Sequence, residues 1–239
     1  MNMVLEKSKE FFDLTEEEKK EFEEKGVLDP IRYGTSFNSK KDEIFYWRDF
    51  LRVIVHPEFN FPSKPLGLRL CFIGYSVFLL SVFGLASLRG FRTRNRVCDK
   101  QGFGFRYRSL DFGTYPIGSP PHSDHGLLSL LINNGVTGLQ IKHKGKWFNV
   151  NNDIPNSFLV NTADQLHVRI KLKHFHTKGR LSVVVANGPS LDAVVEPAYK
   201  LVTEEKCPPT YIPMKYMEYL EMQQGNQIGG KSYLDKIRA

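Results

Sequence analysis

The 239-residue sequence predicts a mainly β protein with flanking helices, its body an antiparallel sandwich or jelly roll. Three observations predict it. From residue 127 onward, short apolar runs alternate with turn residues at the spacing of an all-β body. Aromatic residues reach 13%, with 18 Phe, which suits packed β surface. Helix-like patterning stands mostly at the two ends, over residues 4–24 and 214–237.

The elements follow in order. Residues 4–24 read as one helix or a pair. Phe11, Phe12 and Leu14 form an apolar cluster. Thr15 with Glu18 fits a capping box, in which each side chain satisfies a free backbone N–H at the helix start. Glu16 and Glu17 sit where the helix dipole favours negative charge. Residues 31–65 read as irregular and strand-like, with a β-prone run from Phe45 to Val55 that includes Tyr46 and Trp47. Pro57, Pro62 and Pro65 then break regular structure. Leu70 to Leu88 is nineteen residues without a charge, between Arg69 and Arg89, with Arg92, Arg94 and Arg96 beyond. That length suits a membrane-spanning helix, and a buried core helix is the plainer alternative. Residues 101–117 show no clear period.

Strands are predicted at Leu127 to Ile132, Leu139 to Lys142, Trp147 to Val150, Ser157 to Val160 and Leu181 to Ala186. Asn133-Asn134-Gly135 and Lys144-Gly145-Lys146 are turn signals between them. Tyr216, Met217, Tyr219, Leu220 and Met222 make 214–237 an amphipathic closing helix.

The composition is that of a globular protein, which excludes a collagen, a coiled coil or a wholly disordered chain. The net charge of +7 is uneven. Residues 1–30 hold five Lys against ten Asp and Glu, whereas 66–111 hold eight Arg and Lys against two Asp. The basic character belongs mostly to that one segment. It is no argument for a nucleic-acid partner, because no recognised module surrounds the Arg cluster. Cys71, Cys98 and Cys207 have no metal-ligand spacing and are odd in number, which favours a reducing cytoplasmic setting. The first residues show no signal-peptide pattern.

Two short motifs can carry chemistry. In Pro120-Pro121-His122-Ser123-Asp124-His125-Gly126, an extended backbone puts His122 and Asp124 on one face. An imidazole and a carboxylate so placed fill two positions of a metal, and one more His would complete a facial triad for Fe(II). His-x-Asp also arises often by chance. In Arg180-Leu181-Ser182, the guanidinium and hydroxyl share a face and could hold a carboxylate. A salt bridge at a strand end is the alternative.

Inside a β-rich body these features resemble the plant 2-oxoglutarate- and Fe(II)-dependent dioxygenases, the soluble family of flavonoid and hormone oxygenases. The resemblance runs through Ser8 to Leu14, Tyr46-Trp47-Arg48-Asp49, Pro120 to Gly126 and Gly138-Leu139-Gln140. It continues through Gly145-Lys146-Trp147, Pro155 to Asn161, Arg180-Leu181-Ser182 and Asn187-Gly188-Pro189, and so covers residues 1–64, 118–167 and 180–239. It implies a double-stranded β-helix (jelly roll) core. It also implies His122 and Asp124 as iron ligands, and Arg180 and Ser182 as the pair that binds the distal carboxylate of 2-oxoglutarate. Fe(II) is the expected cofactor, 2-oxoglutarate the co-substrate and ascorbate a supporting reductant. The expected reaction couples decarboxylation of 2-oxoglutarate by O2 to hydroxylation or desaturation of a small plant metabolite. The expected partners are that small molecule and O2, with no nucleic acid, no membrane and a monomeric chain.

The sequence also departs from the family. Met1 aligns just before the acidic helix, so the opening strands of the family are expected to be missing. Residues 66–117 resemble nothing in it, and the abrupt break is the pattern left by a shifted reading frame or retained intron. The family's Asn-x-Tyr motif, whose Tyr binds 2-oxoglutarate, has only an echo at Tyr115-Pro116, which stands too close to His122. Ile170 occupies the place of the remaining iron-binding histidine, ten residues before Arg180. His174 is the candidate substitute and His176 its alternative, and both also read as surface histidines of a Lys-rich loop. The stretch before Arg180 is short enough to have lost a strand. The expected organisation is a helical and irregular region over 1–65, an atypical apolar and Arg-rich insert over 66–117, an incomplete β core over 118–210 and a closing helix over 211–239. Impaired catalysis is expected, with a non-catalytic remnant or a variant anchored through 70–88 as alternatives.

Overall fold

The structure is a computed structural model. It describes residues 1–23, 26, 29–35, 48–55, 58–74, 98–107, 117–150, 154–166, 171–175, 179–197, 202, 208–225, 234 and 237–239. Helix α1 (Asn2–Asp13) buries Val4, Ser8, Phe11 and Phe12, spaced to form one face. Helix α2 (Glu16–Lys19) follows at once and passes into a 3-10 turn over Lys20–Phe22. The capping box is complete: Glu18 N–H donates to Thr15 Oγ1 at 3.3 Å, and Thr15 N–H donates to Glu18 Oε2 at 3.2 Å. Thr15→Ala removes the acceptor for an N–H at the start of α2. It is expected to cost about 1 kcal/mol, read as a lower urea midpoint at unchanged slope.

Twelve strands lie among the described residues. They are β1 (Ile31–Thr35), β2 (Arg48–Ile54), β3 (Cys98–Tyr107), β4 (Ile117–His122), β5 (Leu128–Asn133), β6 (Leu139–His143), β7 (Lys146–Val150), β8 (Leu159–Thr162), β9 (Lys171–Phe175), β10 (Arg180–Pro189), β11 (Val194–Val195) and β12 (Met214–Lys215). Helix α3 (Tyr216–Gly225) follows β12. The larger sheet has the order β1-β2-β3-β10-β5-β8 and the smaller β4-β9-β6-β7, while β11 and β12 pair separately. Every strand pairing is antiparallel. From β3 to β10 the chain passes back and forth between the two sheets, which is the winding of a jelly roll.

The mainly β roll with flanking helices is therefore present. Among the described residues, eight strands, β3 to β10, wind through the two sheets. The shortened stretch before Arg180 still contains β9. Residues 98–107, inside the segment that the sequence sets apart, form a ten-residue strand between β2 and β10.

Alternation decides which face is which. Leu51, Val53, Leu130, Ile132, Leu181, Val183 and Val185 pack with Phe11 and Phe12 of α1 in one core cluster. One face of the larger sheet is thus sealed by the N-terminal helix. The opposite face of β10 carries Arg180, Ser182, Val184 and Ala186. Residues 68–74 are helical and contribute Leu68 and Phe72 to the same core. No helix among the described residues is long and apolar enough to cross a membrane. Of the run Leu70 to Leu88, residues 75–88 lie outside the described residues, as do Tyr46, Trp47, Tyr115, Ile170, His176 and the arginines from Arg89 to Arg96.

Candidate active site

Strand β4 ends on His122, and four residues later Gly126 turns the chain toward β5. Gly126 has φ +92, and a Cβ there would lie 2.6 Å from the Asn187 carbonyl oxygen, so only glycine fits. Backbone bonds pin the turn: Leu127 N–H to Asn187 O at 2.7 Å, Gln165 N–H to Gly126 O at 2.9 Å, and Asp164 N–H to Asp124 O at 3.0 Å.

This turn brings His122 Nε2 and Asp124 Oδ1 to 3.6 Å, with both side chains partly exposed. One ion bonded to each at about 2 Å can span that gap. Asp124 Oδ2 accepts a hydrogen bond from Asn161 Nδ2 at 2.6 Å, which leaves Oδ1 to the side facing His122. Such an outer partner orients a metal-binding carboxylate. The donor set, one imidazole nitrogen and one carboxylate oxygen, suits Fe(II).

The loop is held from behind by α3. His125 is buried, its Nδ1 3.0 Å from the Tyr216 hydroxyl. Burial, then the charge of Arg52, pushes the His125 imidazole down to about 4, so it is neutral at neutral pH. The Tyr219 hydroxyl donates to Asp164 Oδ2. Burial raises the Asp164 carboxyl, while hydrogen bonds from Tyr219 and Ser123 oppose that rise. Gly188 makes room for the Tyr216 hydroxyl beside His125, because a Cβ there would stand 2.5 Å from that oxygen. None of these helix contacts was foreseen in the sequence. The tyrosines read there only as one apolar face.

Arg180 and Ser182 open β10 and are 1% and 0% exposed. Arg180 Nε donates to the Val136 carbonyl at 3.1 Å. Ser182 Oγ is buried without a hydrogen-bond partner, and an orphan hydroxyl of this kind is costly unless a ligand completes it. A small crevice lies against Arg180, lined also by Leu131, Leu139, Val150 and Leu159. A buried cation, an orphan hydroxyl and an apolar crevice suit a short dicarboxylate such as 2-oxoglutarate.

The structure thus pairs His122 with Asp124 and Arg180 with Ser182. His174 lies on β9, opposite Ser119 of β4 and Leu139 of β6, and the residue opposite His122 is Leu172. His174 is therefore displaced by two strand positions, about 7 Å, from the position facing His122. Among the described residues no group of three His, Cys, Asp or Glu is placed to hold a metal ion. Across β3 and β10 the register partner of Arg180 is Tyr107, and Phe105 lies opposite Ser182.

Comparison with known proteins bears on the family and the fold. The model of the 2OG-Fe(II) oxygenase superfamily matches residues 101–185, and that of the non-haem dioxygenase N-terminal region, described from morphine synthesis, matches residues 1–69. The first match takes in most of β3, so the family pattern extends into the 66–117 segment. The chain is 36% identical to 2-oxoglutarate-dependent dioxygenase 19 of Oryza sativa subsp. japonica, over 98% of this chain and 76% of that protein. It is 30% identical to Protein DMR6-LIKE OXYGENASE 2 of Arabidopsis thaliana, over 97% and 73%. The crystal structure of JOX2 in complex with 2OG, Fe and JA superposes with a TM-score of 0.87 at 22% identity, over 100% of this chain and 78% of that one. With the roll, the His122–Asp124 pair and the Arg180–Ser182 pair in place, the chain belongs to the 2OG-Fe(II) oxygenase superfamily.

Proposed function

We propose that this protein oxidises a small organic molecule, by hydroxylation or desaturation, with 2-oxoglutarate as co-substrate and Fe(II) as the metal. The observation that carries the reading is the buried Arg180 beside the orphan hydroxyl of Ser182, on the sheet face opposite α1. Arg180 and Ser182 bind and orient the distal carboxylate of 2-oxoglutarate. His122 and Asp124 hold the iron, and Asn161 fixes the carboxylate of Asp124. When bound there, Fe(II) with 2-oxoglutarate would supply the oxidising power, and the part of the chain is to hold and orient both. The chain works as a monomer in the cytoplasm on this reading.

Leu172 opposite His122 favours two protein ligands and therefore weak iron binding. The test is succinate formation by purified protein with Fe(II), ascorbate and labelled 2-oxoglutarate, with and without His174→Ala. Iron-dependent succinate, needing excess Fe(II) and insensitive to His174→Ala, is expected. No succinate at any Fe(II) concentration would favour a non-catalytic remnant. A large loss of Fe(II) affinity on His174→Ala would put His174 in the ligand set.

A further inference from the structure

The turn that carries Asp124 is gripped by α3 through two hydroxyl groups. Tyr219 donates to Asp164 Oδ2, and the Asp164 N–H donates to the Asp124 carbonyl at 3.0 Å. The Tyr216 hydroxyl stands 3.0 Å from Nδ1 of His125, the residue after Asp124. Gln165 N–H bonds to Gly126 O at 2.9 Å and Ala163 N–H to Leu127 O at 2.9 Å, so residues 163–165 and 124–127 are laced together main chain to main chain. Each hydroxyl therefore reaches Asp124 through one intermediate residue.

The helix is itself anchored away from that turn. Tyr216 N–H donates to Ala193 O and Met217 N–H to Leu191 O, both at 2.9 Å. Tyr216 and Tyr219 share a second core cluster with Leu234 and Ile237. Ile212 N–H donates to Ile237 O at 3.0 Å, which ties that cluster to the segment before α3. The place of contact is also cleared of side chains. A Cβ on Gly188 would lie 2.5 Å from the Tyr216 hydroxyl oxygen, and one on Gly126 would lie 3.2 Å from Gly188 Cα. The turn, β10 and the tyrosine thus meet at two glycines.

Packing alone does not account for this arrangement. Phenylalanine would fill the second cluster equally well, without taking a hydroxyl out of water. Both hydroxyls are instead directed at the residues that flank or hold Asp124. Asp124 is the carboxylate of the candidate metal site, 3.6 Å from His122 Nε2. Asn161 holds its side chain, whereas Asp164 holds its main chain. We propose that Tyr216 and Tyr219 are positioning residues of the metal site: they hold the turn so that Asp124 faces His122, and metal retention is thereby coupled to the docking of α3. The coupling is reciprocal, so a bound metal also tightens α3. This rests on the oxygenase reading above and deepens it by naming what regulates metal retention.

The experiment uses the full chain and Fe(II) under nitrogen. Competitive titration against a metal-binding dye is expected to show about tenfold weaker Fe(II) binding for Tyr219→Phe, and a similar loss for Tyr216→Phe, the scale for an outer partner of a ligand. Each variant keeps its ring in the second cluster and loses only the hydroxyl. Thr15→Ala, whose hydroxyl bonds to Glu18 instead, is expected to lower stability yet to bind Fe(II) within about twofold of wild type. Hydrogen exchange supplies a readout that needs no variant. Saturating Fe(II) is expected to slow exchange of the α3 amides in the wild type, and less so in Tyr219→Phe. Both Phe variants binding Fe(II) as tightly as wild type would overturn the inference. So would an equal loss in Thr15→Ala, or α3 exchange indifferent to Fe(II). A wild-type chain that binds no Fe(II) would overturn the reading of His122 and Asp124 as ligands, on which the proposal rests.

Discussion

Arg180→Met is expected to weaken 2-oxoglutarate binding by at least about thirtyfold, the equivalent of about 2 kcal/mol or more. Arg180 is 1% exposed, so its charge meets the distal carboxylate in a site with little screening. Methionine fills much of the volume but leaves that carboxylate buried without a cation. Arg180→Lys separates charge from geometry. Lysine keeps the positive charge but loses the planar fork and the Nε–H bond to Val136. The expected order of affinity is Arg, then Lys, then Met, measured by anaerobic calorimetric titration of 2-oxoglutarate into the Fe(II)-loaded protein. A Met variant within threefold of wild type would remove Arg180 from the co-substrate site.

Asp124→Asn is expected to abolish measurable Fe(II) binding at micromolar metal. The substitution keeps the shape and removes the charge. Asn161 Nδ2 donates to Asp124 Oδ2 at 2.6 Å, so the new amide faces a donor on one side and the metal position on the other. If its oxygen stays toward Asn161, its NH2 group points at the cation. If it turns over, two NH2 groups confront each other. Either arrangement loses a favourable contact, in addition to the lost ion–ligand attraction. Asn161→Ala supplies a scale, because losing an outer partner of a ligand commonly costs about 10–100-fold in metal affinity. Competitive titration with a metal-binding dye reads both variants. Asp124→Asn binding more tightly than Asn161→Ala would show that Asp124 is not the ligand.

Much of the roll was legible. The predicted strand starting at Leu181 appears as β10, longer at both ends, and those at Leu139 and Trp147 appear as β6 and β7. The turn between β6 and β7 holds Lys144 and Gly145 at positive φ, which local sequence encodes directly. Strand β3 was not legible. Gly102 and Gly104 blur its alternation, and its pairing with both β2 and β10 holds it in place. Strand β4 contains Pro120 and Pro121, which argue locally against a strand. It persists with register shifts against β9.

The two site pairs were legible for a different reason. His122 with Asp124, and Arg180 with Ser182, each lie two residues apart on extended backbone, so local geometry alone puts each pair on one face. The charge pattern belongs to the same level: the excess of Arg and Lys over 66–111 is a property of the chain whatever it folds into. Relations across strands and between layers were left to tertiary structure. It set Tyr107 opposite Arg180, displaced His174 from the position facing His122, and faced Arg32 with Arg52. It also brought Tyr216 and Tyr219 against His125 and Asp164. Side-chain direction along one strand follows from a period of two, whereas register between strands is fixed only when a buried face selects one pairing from several.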